Sequence, residues 1–250
     1  MTSAWPARLW IVRHGQSAGN VARDRAHAEG LGEIDLDIRD VDVPLSDLGH
    51  EQSAALGKWF AALPTEDRPT VVLTSTYLRA RQTAAAIAEV GGVIGGDAPP
   101  SVDERLRERE FGILDRLTTQ GIMARYPEQA EARRRLGKFY HRPPGGESWC
   151  DVILRLRAAL DTLSLHHRDE NVLIVGHQVV VLCLRYLLEG LTEDEILAID
   201  AQGDVANCGV TTYRRSARCG LVLEGYNFVA PLQMEGAPVT TAPDVPVAPR

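Results

Sequence analysis

Three short apolar runs constrain this chain more than any other feature: Leu9-Trp10-Ile11-Val12, Thr70-Val71-Val72-Leu73-Thr74 and Asn171-Val172-Leu173-Ile174-Val175. They are too short for core helices and lack the polar alternation of a half-exposed strand. Strands apolar at nearly every position are buried on both faces, as in a parallel sheet covered by helices. Helical patterns separate them. Pro44-Leu45-Ser46 opens the first, with Ser46 as N-cap and Leu48, Ala55, Leu56, Trp59 and Phe60 on its inner face. Further helices are predicted over Tyr77 to Ile87, along the face Val152, Ile153, Leu156, Leu160 and Leu163, over Val179 to Leu188, and from a cap at Thr192 through Ile199. Two β-like segments, Gly209 to Arg214 and Leu221 to Tyr226, come last. The alternation predicts an α/β fold, a three-layer α/β/α sandwich with a mainly parallel sheet.

Each apolar run hands polar residues to what should be one sheet edge. The first ends in Arg13-His14-Gly15, the second in Ser75 with Arg79 in the next helix's first turn, the third in Gly176-His177. Open α/β sheets bind ligands at the carboxyl ends of their strands. Gly15 allows a sharp turn close to a ligand, and Gln16-Ser17-Ala18-Gly19-Asn20 can turn N–H and side-chain groups toward an anion. A lone strand ending in histidine is unremarkable. Two such strands with two arginines make a phosphate-sized cationic pocket, because guanidinium pairs with phosphoryl oxygens two at a time. Imidazole can also attack phosphorus.

The chain has 250 residues, 44% hydrophobic, with a net charge of −7. That length suits one large α/β domain, assigned here to residues 1–230. The acidic balance argues against a nucleic-acid surface but not against a local anion pocket. No apolar run reaches the roughly 20 residues of a membrane helix. The first eight residues lack the apolar core of a signal peptide. Cys150, Cys183, Cys208 and Cys219 form no CxxC pair, which suits a reduced, cytoplasmic protein. No His, Cys or carboxylate cluster has metal-ligand spacing. Oligomeric state is open, a homodimer included.

Val21 to Val43 reads as an irregular, acid-rich loop or edge strand, placed to serve as a lid or specificity loop. Gly91 to Pro100 reads as a turn-rich break. Glu108 and Glu110 lie among arginines in a charged stretch, and Glu131 to Lys138 is strongly basic. From Pro231 onward five prolines suggest an extended or disordered tail over residues 231–250.

Six segments, in order, carry a resemblance: Arg13-His14-Gly15 with Asn20, Pro44-Leu45-Ser46 with Gly49, Ser75 with Arg79-Ala80 and Gln82-Thr83-Ala84, Leu106 with Glu108 and Phe111-Gly112, Gly145-Gly146-Glu147-Ser148, and Gly176-His177. In these the chain resembles the histidine phosphatase superfamily, also called phosphoglycerate mutase-like, from about Leu9 to Tyr226. The resemblance implies that His14 accepts the phosphoryl group, and that Arg13, Asn20, Arg79 and His177 bind its oxygens, with Ser17 and Gln178 as further binding candidates. It implies that Glu108 protonates the leaving oxygen and then activates water. Glu108 must therefore hold a proton, while its arginine neighbours should oppose this unless burial wins or they point away. No metal and no cofactor are implied.

The second half leans toward the fructose-2,6-bisphosphatase branch, through Tyr126-Pro127-Glu128, Lys138-Phe139-Tyr140 and His177-Gln178 with Cys183-Leu184. By that resemblance Arg133 and Lys138 are candidates for holding a second phosphate, although the spacing near Gly137 is one residue longer; a solvated helix face is an equal reading. The expected activity is metal-independent hydrolysis of a small phosphorylated metabolite through phosphohistidine at His14. Two rivals remain: a cofactor-dependent phosphoglycerate mutase and a catalytically inactive phosphate-binding protein.

Overall fold

The computed structural model describes residues 5–91, 99–216 and 220–241. Its strands are β1 (Arg8–Arg13), β2 (Val71–Thr74), β3 (Ser101–Val102), β4 (Asn171–Gly176), β5 (Val210–Ser216) and β6 (Gly220–Phe228). They form one sheet in the order β3-β2-β4-β1-β5-β6. The first four run parallel; β5 and β6 are antiparallel, closing the β1 side as a hairpin. The three apolar runs thus occupy the centre, where both faces are covered, as their composition requires.

Nine α-helices surround the sheet among the described residues: α1 (Ala18–Ala28), α2 (Asp47–Ala62), α3 (Leu78–Gly91), α4 (Thr119–Arg125), α5 (Pro127–Tyr140), α6 (Trp149–His166), α7 (Gln178–Glu189), α8 (Glu193–Gln202) and α9 (Ala230–Met234). Successive strand side chains point to opposite faces. Leu9, Ile11, Val172 and Ile174 pack against Val152, Leu156, Val180 and Leu184 of α6 and α7. Trp10, Val12, Leu173 and Val175 pack against Leu56, Phe60, Ala84 and Ile87 of α2 and α3. These are the two outer layers of the expected sandwich. Ser46 caps α2 by accepting the Gly49 N–H, and Thr192 caps α8, as read from the sequence.

Two segments differ from expectation. Val21 to Val43 is not irregular throughout, because α1 runs to Ala28. Ser17 and Asn20 form a reciprocal cap that starts it. Buried residues on α1 are only Asn20 and Ala26, so no apolar stripe announces it. The start of the proline-rich tail is also ordered. Ala230–Met234 is helical with Leu232 fully buried, and Pro at the first turn of a helix costs no hydrogen bond. Residues 242–250, Cys219 and most of the Gly91 to Pro100 break lie outside the described residues. No described helix is long and apolar enough to cross a membrane.

Candidate active site

Sheet register assembles the site. Arg13 lies opposite Gly176 and Thr74 opposite Val175, so β1, β2 and β4 end level with one another. The ladder continues one step beyond the strands: the His14 N–H donates to Gly176 O at 2.9 Å and the Ser75 N–H to Val175 O at 3.1 Å. His14 and His177 are thereby brought to a ring separation of 5.2 Å. Glycines permit the close approach behind the loop: a Cβ on Gly49 would stand 1.9 Å from Gln16 O, and one on Gly15 2.6 Å from Gly49 O.

His14 is 3% exposed, and its Nδ1 lies 2.7 Å from the Gly15 carbonyl. A carbonyl can only accept, so Nδ1 carries the proton and Nε2 presents a lone pair. Arg79 Nε–H points at that Nε2 from 3.3 Å. Burial, then the charges of Arg79 and Arg13, hold the imidazole pKa well below its usual range. His14 is therefore a neutral, oriented nitrogen set between guanidinium groups. His177 is fully buried, with Nε2 2.8 Å from Ser75 Oγ and Nδ1 3.7 Å from Glu108 Oε2. Burial, Arg79 and His14 also hold its pKa well below the ordinary value, so its approach to Glu108 is not an ion pair at neutral pH.

The anion-facing groups come from four elements, β1, α1, α3 and α7. Arg13 Nη1 donates to Gln178 Oε1 at 3.0 Å and to Val205 O, while Gln178 Nε2 donates to Asp204 Oδ1 at 2.7 Å. Asn20 Oδ1 accepts the Ser17 N–H at 3.0 Å, which turns its Nδ2 away from the cap. Ser17 and Asn20 line the pocket at the N-terminus of α1, where backbone N–H groups and the helix dipole favour an anion. Arg79 is 5% exposed and grips Asp40 with both nitrogens, Nη1–Oδ1 at 2.8 Å and Nη2–Oδ2 at 3.2 Å. Asp40 was not singled out from sequence; its alternating acidic neighbours read as a solvated loop.

Glu108 lines the same pocket. The arginines flanking it are drawn to the Pro143–Ser148 turn. Arg107 Nη2 donates to Glu147 Oε1 at 2.7 Å, and Arg109 Nε to Glu147 O at 2.7 Å. Arg155 binds Glu147 Oε1 at 3.0 Å and the Glu108 carbonyl at 3.2 Å, so Glu147 organises the loop that carries Glu108. Gly112, at φ 55, seats that loop against the turn: a Cβ there would lie 2.1 Å from Pro144 O. Tyr77 packs its ring on His177 at 5.1 Å and donates its hydroxyl to Glu110 Oε1 at 2.9 Å. Glu147 entered the sequence reading only as part of the Gly145–Ser148 segment, and Arg155 and Tyr77 were given no site role, since their partners are distant in sequence.

Beyond the anion end, the pocket wall is Ile34, Leu36, Ile38, Phe111 and Leu114, with Arg23, Asp115 and Arg116. Burial, reinforced by the Asp40 charge, raises the Asp115 pKa. Ile34, Leu36, Ile38 and Asp40 of the Val21 to Val43 segment thus form one wall of the pocket. Arg133 and Lys138 do not line the pocket. Gly137, at φ 78 and ψ 165, kinks α5, and Lys138 binds Asp200 at 2.7 and 2.9 Å over the ring of Trp149. Just past this kink, Lys138 is committed to the pair with Asp200. Arg133 sits instead near His141, whose pKa it helps to depress. Lys138→Gln is expected to leave KM for any turned-over phosphate ester within about twofold, since the residue binds within the protein. A KM rise beyond about tenfold in initial-rate assays would restore Lys138 as a substrate ligand.

The depressed histidines have a thermodynamic consequence. His14, His177 and His141, the last held at about 4, are neutral when folded and titrate near their ordinary value when unfolded. Below about pH 6.5 the unfolded chain binds more protons, so these groups remove stability as pH falls. The raised carboxyls of Asp24 and Asp115 act in the opposite sense, adding stability as pH falls through their folded values. Urea midpoints are expected to fall from pH 7 to pH 5, and His141→Gln to flatten that slope by about one proton. A midpoint independent of pH over this range would contradict the buried neutral state. Among the described residues, no group of three or more His, Cys, Asp or Glu is arranged to hold a metal ion.

Residues 9–227 match the model of the histidine phosphatase superfamily, branch 1. A Caenorhabditis elegans 6-phosphofructo-2-kinase/fructose-2,6-bisphosphatase is 32% identical over 180 residues, 72% of this chain. The chain spans only about a third, 33%, of that relative's length. A 2,3-bisphosphoglycerate-dependent phosphoglycerate mutase of Methylobacterium sp. (strain 4-46) is 32% identical over 195 residues, covering 77% of this chain and 85% of the relative. Among solved structures, mycobacterial glucosyl-3-phosphoglycerate phosphatase in complex with VO3 superposes with a TM-score of 0.67 at 27% identity, covering 88% of this chain and 98% of that one.

Proposed function

Because the chain belongs to the histidine phosphatase superfamily, branch 1, we propose that it is a phosphomonoesterase acting through a phosphohistidine at His14. Its substrate in this reading is a small phosphorylated metabolite. The single observation that carries the reading is the His14 ring: Nδ1 committed to Gly15 O, and a buried Nε2 whose lone pair meets only the Nε–H of Arg79 among the described residues. His14 Nε2 attacks phosphorus, the bond to the ester oxygen breaks, and Glu108 delivers a proton to the departing alcohol. Arg13, Arg79, Asn20 and the α1 N-terminus take the charge on the phosphoryl oxygens. The Glu108 carboxylate then removes a proton from water. That oxygen attacks phosphorus, the P–N bond breaks, and neutral His14 and protonated Glu108 are restored. The phosphoryl group must compete with Asp40 for Arg79, since both offer two oxygens to one guanidinium.

The pocket wall informs substrate choice. With Arg133 and Lys138 outside the pocket lining, the cations that line its wall beyond the anion end are Arg23 and Arg116. Relatives named for fructose-2,6-bisphosphate and glucosyl-3-phosphoglycerate make sugar phosphates and phosphoglycerate esters the first to assay. Release of inorganic phosphate from such esters in the presence of EDTA supports the reading. A wild-type protein that releases none from any ester, aryl phosphate included, contradicts it. The mutase reading is favoured by one observation, the Methylobacterium relative. A phosphoenzyme that persists until a phosphoglycerate arrives, instead of yielding to water, would select it.

A further inference from the structure

The chain beyond residue 227 lies outside the superfamily match, yet it ends its described course directly behind the catalytic loop. Leu232 is fully buried, Ala237 packs on the α2–α3 core, and Lys58 pairs with Glu235 at 2.8 Å. These anchors bring Pro238 and Thr240 against two fully buried amides, Gln52 and Asn207.

Both amides hold the loop. Gln52 Oε1 accepts the Gln16 N–H at 2.8 Å, which leaves its Nε2 facing the tail. That Nε2 donates to Pro238 O at 2.8 Å and to Thr240 Oγ1 at 2.9 Å. Asn207 Nδ2 donates to His14 O at 3.0 Å and reaches Asn20 Oδ1 at 3.4 Å. Its Oδ1 accepts the Thr240 hydroxyl at 2.9 Å, and its N–H donates to Thr240 O at 2.9 Å. One hydroxyl therefore accepts from one amide and donates to the other. Its two roles set the orientation of both, and a reversed Asn207 would turn an oxygen toward the His14 carbonyl.

We propose that Thr240 is a positioning residue: the tail is a latch that fixes the His14–Asn20 loop from behind through the Gln52 and Asn207 amides. Among the described residues, the hydrogen bonds of the tail reach the His14–Asn20 loop through those amides. Where turnover is the readout, this inference rests on the proposed function; where loop protection is the readout, it does not.

The test compares full-length wild type, Thr240→Val and Thr240→Ser. Valine keeps the shape and removes both hydrogen bonds; serine restores them. Hydrogen exchange of peptides spanning Arg13 to Asn20 is expected to accelerate about tenfold or more in Thr240→Val and to stay near wild type in Thr240→Ser. With an aryl phosphate, kcat is expected to fall about tenfold in the valine variant with KM little changed, because small displacements of a reacting group are costly. A purely structural role would lower the melting temperature without changing kcat of the folded protein. Wild-type exchange of the loop in Thr240→Val would overturn the latch. If valine disturbs the tail, Thr240→Ala applies the same criterion. A wild type that lacks hydrolysis would count against the proposed function alone, since the exchange result still decides the latch.

Discussion

His14→Ala is expected to lower hydrolysis of an aryl phosphate in EDTA by about four orders of magnitude or more. The size follows from the number of roles lost with one ring. The imidazole supplies a neutral nitrogen lone pair set against Arg79, and water is a poor substitute in a site only 3% open at that residue. The remaining cations would still bind inorganic phosphate, so the variant should keep phosphate affinity within about tenfold of wild type. Folding should survive, because the His14 ring makes only two hydrogen bonds, to the adjacent Gly15 carbonyl and from Arg79 Nε, and the surrounding strand is held by its own ladder. Steady-state rates on both proteins, with circular dichroism as a control, decide the matter. Equal rates would remove His14 from the chemistry.

Glu108→Gln should distinguish acid catalysis from simple charge. The expected loss in kcat is about 10²–10⁴-fold on an alkyl phosphate, whose alkoxide cannot leave unprotonated. On an aryl phosphate with an acidic phenol the first step should be far less affected, so phosphoenzyme forms and then accumulates because water is no longer activated. A burst of phenol followed by slow turnover is the expected trace. Equal losses on both esters, with no burst, would mean that Glu108 only shapes the pocket. The Glu108 loop is kept in place by Glu147 and Arg155, so the glutamine variant should retain its position.

The sequence exposed the parts of this site that depend on strands. Leu9 to Val12, Thr70 to Thr74 and Asn171 to Val175 are apolar on both faces, and such runs have few places in a fold except the centre of a covered parallel sheet. Their ends then had to meet, which placed Arg13, His14, Ser75, Arg79 and His177 together. Helix α1 was hidden because it buries little, although Ser17 and Asn20 at capping spacing were a usable local sign. Lys138 was misplaced because a kink at one glycine changes the direction of everything after it. Asp40, Gln52, Asn207 and Thr240 had no periodic signal at all. Polar groups joined across long sequence separations can be read only once the fold has brought them together.

The measurement that tests the central claim most directly is the identity of the phosphorylated atom. Glu108→Gln would be mixed with a radiolabelled phosphate ester, quenched in alkali, where phosphohistidine survives and phosphoserine does not, and digested for peptide mapping. Label on the peptide carrying His14, acid-labile and absent from the His14→Ala protein, is the predicted result. Label on another residue, or turnover without any covalent label at quench times shorter than one turnover, would contradict it.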